Sequence, residues 1–148
     1  VCCDLASIAD QKKVELIQEE GDCTVTGSYL LLYRAVYNLV ENAIKYNHSG
    51  GKVTVKISQT KALSAAHSKP TDYALVEVTD TGIGISPEFQ EKIFDPFFRV
   101  DKSRSRAMGG AGLGLALVNE IARQHGGQVK VLASSEQGST IALVLPLS

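Results

Sequence analysis

Three polar side chains recur at helical spacing in the most regular amphipathic stretch of the chain: Asn38, Asn42 and Lys45. At about 100° per residue, offsets of four and three put them on one stripe. The apolar residues Leu32, Ala35, Val36, Leu39, Val40 and Ala43 follow the i, i+3, i+4, i+7 pattern of a buried helical face. Carboxamide oxygens are neutral hard ligands. They suit a Mg²⁺ that already carries phosphates, because they add no repulsive charge. An ammonium such as Lys45 meets phosphate oxygens. Any amphipathic helix also needs a solvated polar face, so the stripe alone leaves both readings open.

A second cluster is Asp80-Thr81-Gly82-Ile83-Gly84-Ile85, at the end of an alternating run. Asp80 offers an acceptor for an exocyclic amine, and the two glycines let a ligand lie against the backbone. A plain turn containing an Asp is the structural alternative. A third cluster, Gly109-Gly110-Ala111-Gly112-Leu113-Gly114-Leu115, opens a helix, where backbone N–H groups and the helix dipole favour anions. Arg99, Lys102, Arg104 and Arg106 lie just upstream. A basic, glycine-rich loop over 95–112 with few apolar anchors reads as a phosphate lid. No Gly-Lys-Ser/Thr run follows, so the loop is not of the Walker type.

These clusters need elements to carry them. The first ten residues read as the end of a helix, 13–18 as a strand and 24–26 as a short second strand. A helix over 29–46 follows, with Ser28 as N-cap. Strands over 52–58 and 73–79 flank a polar Ala/Ser-rich segment, 59–72, which reads as a long mobile hairpin loop. Ser86 and Pro87 start a short helix over 87–93. A helix over 113–124 closes at His125-Gly126-Gly127. Strands over 128–133 and 140–146 end the chain. Helices and hairpin strand pairs in this order predict an α+β fold. It is a two-layer α/β sandwich with a mixed, mostly antiparallel sheet covered on one face by helices. A regular βαβ repeat is absent, which disfavours a dinucleotide-binding sheet.

The length of 148 residues fits one domain over 1–148, and no linker or repeat divides it. With 44% hydrophobic and 21% charged residues the composition is that of a globular protein rather than a disordered one. A net charge of −1 disfavours a general nucleic-acid or anionic-membrane surface. No apolar run reaches the roughly 20 residues of a membrane span. The chain starts without Met or a signal peptide, so it is expected to be a fragment of a longer protein. Cys2, Cys3 and Cys23 lack zinc-ligand spacing and are expected to be reduced, cytosolic thiols. His48, His67 and His125 sit in no nucleophile pattern.

In order, four segments resemble the N, G1, F and G2 boxes of sensor histidine kinases. They are Asn38-Leu39-Val40-Glu41-Asn42-Ala43-Ile44-Lys45-Tyr46, Asp80-Thr81-Gly82-Ile83-Gly84, Phe94-Asp95-Pro96-Phe97-Phe98-Arg99 and Gly110-Ala111-Gly112-Leu113-Gly114-Leu115. The chain is similar to the catalytic ATP-binding domain of those kinases, in the superfamily they share with gyrase, a heat-shock chaperone and mismatch-repair ATPases. The likeness extends to Gly138-Ser139-Thr140 before the last strand.

The resemblance implies Mg²⁺–ATP as the bound species. Asn42 is the implied metal ligand, with Asn38 lining the same site. Lys45 and Tyr46 are implied contacts of phosphate and nucleotide. Asp80 takes the adenine amino group, Gly82, Gly84 and Ile85 shape the purine pocket, and Thr140 lies near it. Arg99 approaches the γ-phosphate, and Gly110, Gly112, Leu113 and Gly114 belong to the lid. Catalysis falls to Asn38, Lys45 and Arg99. Phe94, Phe97 and Phe98 match an aromatic patch that docks partner helices, with ordinary core packing as the alternative.

ATP-hydrolysing relatives carry a water-activating Glu four residues before the metal Asn, where this chain has Asn38; Glu41 lies roughly 100° round the helix. That favours phosphoryl transfer over hydrolysis. An ATPase module, or a domain that senses nucleotide without transfer, are the alternatives. The family's acceptor is His followed by Asp or Glu, and no histidine here has that context. The expected partners are therefore a phosphoacceptor histidine domain of the same protein and a downstream response regulator. The parent would be homodimeric and this domain cytoplasmic, with both a soluble and a plasma-membrane-anchored parent compatible with the resemblance. Ser28 stands where the family often has Asp.

Overall fold

A computed structural model describes residues 2–19, 27–63, 70–95 and 114–146. Helix α1 (Cys2–Lys12) ends at Lys13, whose φ of 60° turns the chain into strand β1 (Glu15–Gln18). Helix α2 spans Tyr29–Lys45. The Ser28 hydroxyl accepts a hydrogen bond from Leu31 N–H at 3.3 Å, as its sequence position predicts. Strands β2 (Lys52–Leu63) and β3 (Pro70–Asp80) follow, then two 3-10 turns, Pro87–Phe89 and Lys92–Phe94. Helix α3 (Gly114–Gln124) leads into β4 (Gln128–Ser135) and β5 (Gly138–Pro146).

The five strands form one sheet in the order β1-β2-β3-β5-β4. Only β1 and β2 pair in parallel; the other three ladders are antiparallel. The mixed, mostly antiparallel α+β sheet expected from the strand pairs is the one observed. Strand alternation assigns its two faces. Val55, Val78 and Ile141 lie opposite one another, as do Val76, Leu143 and Val129, and all six are buried. Leu5 and Ala9 of α1, Ala35, Leu39 and Ile44 of α2, and Val118 and Ile121 of α3 join them in one core. The other face carries the cross-strand partners Lys56, Glu77, Ala142 and Lys130.

Two local expectations change. The polar segment 59–72 is not all loop: the β2–β3 ladder continues to Leu63 opposite Pro70. Antiparallel backbone pairing does not require an alternating apolar sequence, and polarity alone hid it. Residues 87–93 form two separate 3-10 turns instead of one helix. The expected strand at 24–26 and residues 96–112 of the lid loop expected over 95–112 lie outside the described residues. No helix among the described residues is long and apolar enough to cross a membrane.

Candidate functional site

Asp80 is the last residue of β3, two positions after Val78, so it shares the face on which the helices pack. Its Oδ1 accepts a hydrogen bond from Gly82 N–H at 2.9 Å, and its Oδ2 accepts one from the Ser139 hydroxyl at 3.0 Å. Ser139 faces it because the β3–β5 register pairs Asp80 with Ser139. Burial pushes the carboxyl above the ordinary aspartate range, and the hydrogen bonds from Gly82 and Ser139 pull it partly back. The result is a fixed acceptor in a half-buried setting.

The turn after β3 is held equally firmly. Gly84 adopts φ 74°, and a Cβ there would run into the Ser135 carbonyl oxygen. Ile85 N–H donates to the Ser134 hydroxyl at 2.6 Å, and Gln90 Nε2 donates to the Ile85 carbonyl at 3.2 Å. The turn also meets the end of α2. A Cβ on Gly82 would lie 2.5 Å from the Tyr46 carbonyl oxygen, which accepts from Ile83 N–H at 3.4 Å. Glycine is therefore needed where the two elements touch.

On α2 the carboxamides of Asn38 and Asn42 are half-buried, and neither forms a hydrogen bond with another described residue. Two unpartnered neutral oxygen donors one turn apart fit a hard cation that arrives with its own phosphates. Lys45 Nζ lies 3.6 Å from Glu41 Oε1, one turn back. Each of these side chains is about a third exposed, so the pair contributes little stability. The same contact occupies Glu41. Tyr46 caps α2 at its C-terminus, its N–H donating to the Asn42 carbonyl at 3.1 Å.

The structure thus brings Asp80, Gly82, Gly84 and Ile85 together with Tyr46, and Asn42 lies one turn before Tyr46. It does not bring Thr140 to Asp80. Thr140 Oγ1 is 3.0 Å from Thr79 Oγ1, on the opposite sheet face, because side chains alternate along β5. Ser139, one residue earlier, holds the place expected of Thr140; the two-residue strand period was the signal that could have found it. Gly114 opens α3, exposed, with open space where its Cβ would be. Arg99, Gly110, Gly112, Leu113, Phe97 and Phe98 lie outside the described residues. Phe94 is half-buried and packs on the core. Among the described residues no cluster of His, Cys, Asp or Glu could hold a metal. Among the described residues the side-chain oxygens offered to a metal at this helix are the amide oxygens of Asn38 and Asn42 and the Glu41 carboxylate.

A helix with a carboxamide stripe thus packs beside a sheet whose central strand ends in Asp-x-Gly-x-Gly, in an α+β sandwich. The family described as histidine kinase-, DNA gyrase B-, and HSP90-like ATPase matches residues 27–148, and the chain belongs to it. Its similarity runs to the histidine kinases. It is 41% identical over 139 residues to the sensor-like histidine kinase SenX3 of Mycobacterium tuberculosis, a match covering 93% of this chain and 32% of that one. It is 39% identical over 127 residues to the sensor histidine kinase RppB of Synechocystis, covering 86% and 26%. The chain therefore spans about a third or less of these relatives. Among solved structures, the mycobacterial sensor histidine kinase MprB matches with TM-score 0.75 and 31% identity, covering 97% of this chain and 89% of that one. Full-length ShkA in complex with AMPPNP matches with TM-score 0.79 and 26% identity over 99% of this chain and 28% of that one.

Proposed function

We propose that this chain binds Mg²⁺–ATP between α2 and the turn after β3 and delivers the γ-phosphoryl group to a histidine on a separate phosphoacceptor domain. The carrying observation is Asp80: a carboxylate fixed by Gly82 and Ser139, beside the end of a helix with two unpartnered carboxamides. Asp80 accepts from the adenine amino group. Gly82, Gly84, Ile85 and Tyr46 shape the purine pocket. Asn42 and Asn38 hold Mg²⁺, which when bound neutralises phosphate charge. Lys45 exchanges Glu41 for phosphate, and Arg99 with Gly110, Gly112, Leu113 and Gly114 completes the phosphate side. The protein's part is positioning and charge neutralisation. In the transfer the bond from the γ-phosphorus to its bridging oxygen breaks, ADP leaves, and a P–N bond forms on the acceptor imidazole. Similarity to sensor histidine kinases, and to ShkA solved in complex with AMPPNP, supports this reading.

Three readings of the same site are separated by one set of measurements. Asn38 in place of a water-activating Glu, with Glu41 roughly 100° round the helix, argues against hydrolysis as the main reaction. The histidines argue against self-labelling: none precedes Asp or Glu, and His125 is held between the Ile121 carbonyl and Ser28 N–H. The chain should bind ATP, hydrolyse it slowly and fail to label itself. Given the phosphoacceptor hairpin of its own parent and γ-³²P-ATP, it should label that hairpin with an acid-labile, base-stable bond. Fast hydrolysis points to an ATPase module. Tight binding with no transfer at high hairpin concentration points to a nucleotide sensor. A response regulator as the next acceptor, a homodimeric parent, and a cytoplasmic domain in a parent held at the plasma membrane belong to the same proposal.

A further inference from the structure

Asn47 follows the carboxamide stripe but does not share its face. It is 4% exposed, and it and Ser139 are the two buried polar residues among those described. Its Nδ2 donates to the Lys52 carbonyl at 2.9 Å. Its Oδ1 accepts from His48 N–H at 2.9 Å and from the Thr81 hydroxyl at 3.4 Å. Lys52 opens β2, and Thr81 is bound to the same residue. Thr81 N–H donates to the Lys52 carbonyl at 3.1 Å, and Lys52 N–H donates to Thr81 Oγ1 at 2.9 Å. One buried carboxamide and one hydroxyl thus join the end of α2, the start of β2 and the residue after β3. Gly51 leaves room for the join: its Cβ would lie 2.9 Å from Thr81 Oγ1 and 2.7 Å from Asn47 Cγ.

We propose that Asn47 is a positioning residue for nucleotide binding, which with Thr81 sets the span between the carboxamides of α2 and the Asp80 carboxylate. The inference rests on the reading of the site given above. The two halves of that site belong to different elements. Asn42 lies five residues before Asn47 on α2, and Asp80 lies one residue before Thr81. A ligand holding both at once gains from the second contact only if their separation is fixed. The adenine half has its own supports in Ser139 and Gly82. Loosening the Asn47–Thr81 join therefore spares adenine recognition and weakens the simultaneous hold on the metal-bound phosphates.

The test is calorimetric titration of the 148-residue chain with ATP, once with Mg²⁺ and once with EDTA. The ratio of the two affinities is the readout. Asn47→Ala and Thr81→Val should each reduce the Mg²⁺ enhancement by about fivefold or more, the factor one ordinary hydrogen bond corresponds to. Affinity in EDTA should stay within about twofold. Thr81→Ser keeps the hydroxyl and should keep the wild-type ratio. An unchanged ratio in the folded variants, or equal losses with and without Mg²⁺, overturns the assignment. If Asn47→Ala fails to fold, Thr81→Val set against Thr81→Ser decides. A wild-type chain that binds no ATP, or binds it without Mg²⁺ enhancement, overturns the reading of the site itself, and that outcome is distinct from the others.

Discussion

Burial raises the Asp80 carboxyl above the ordinary aspartate value, so the folded chain holds that proton more tightly than the unfolded chain does. The sign follows: this contribution to stability is fully present below the unfolded value and is lost as pH rises through the raised one. At neutral pH the ionised Asp80 costs the fold stability. Asp80→Asn should therefore melt no lower than the wild type near neutral pH, and its relative advantage should shrink on acidification through that raised value. Thermal melts at two pH values check this, and a variant least stable at neutral pH would contradict it. The same change should weaken ATP binding by roughly ten- to a hundredfold, since a hydrogen bond to a charged acceptor is lost. Asn42→Ala should remove most of the Mg²⁺ enhancement of ATP affinity, by about tenfold or more, with the melting temperature little changed. An unaltered Mg²⁺ response in the folded variant would remove Asn42 from the metal site. The common stripe of Asn38 and Asn42 and the strand-end position of Asp80 could be read from the sequence, because the helical and strand periods place them. Ser139 needed a further step: the two-residue period puts it on the face of Ile141, and only the β3–β5 register sets it opposite Asp80.

At the level of elements, α2 could be read almost to the residue, since its apolar period and Ser28 cap agree with its packing. The hairpin arms of β2 and β3 could not, because polar strands carry no burial pattern. The turn after β3 shows where local sequence and tertiary contact coincide. Gly84 combines φ 74° with a Cβ position filled by the Ser135 carbonyl. Gly84→Ala should destabilise the chain by more than about 1 kcal/mol, because the left-handed backbone and the close approach act together. Denaturant unfolding measures it, and a wild-type midpoint would mean that the turn relaxes freely. Nucleotide affinity should fall in the same variant, since Ile85 and Asp80 flank the displaced backbone.

At the scale of the molecule, the mixed sheet and its helical cover followed from the order of elements, while the strand order β1-β2-β3-β5-β4 did not. Pairing between β3 and β5 joins segments that are remote in sequence, and nothing local encodes it. Asp80 and Ser139 are 59 residues apart. Their contact has a kinetic consequence. The two hairpins can each pair locally, but the acceptor geometry at Asp80 exists only once the hairpins have docked edge to edge. Long-range pairing of this kind is slow because chain entropy is lost before contacts compensate for it. A refolding chain should recover its far-ultraviolet circular dichroism before it captures a fluorescent ATP analogue. Ser139→Ala should delay capture relative to the spectral recovery, and simultaneous recovery of both signals would count against that order of events. Nucleotide capture is then a late checkpoint of folding, reporting that the two halves of the sheet have found each other.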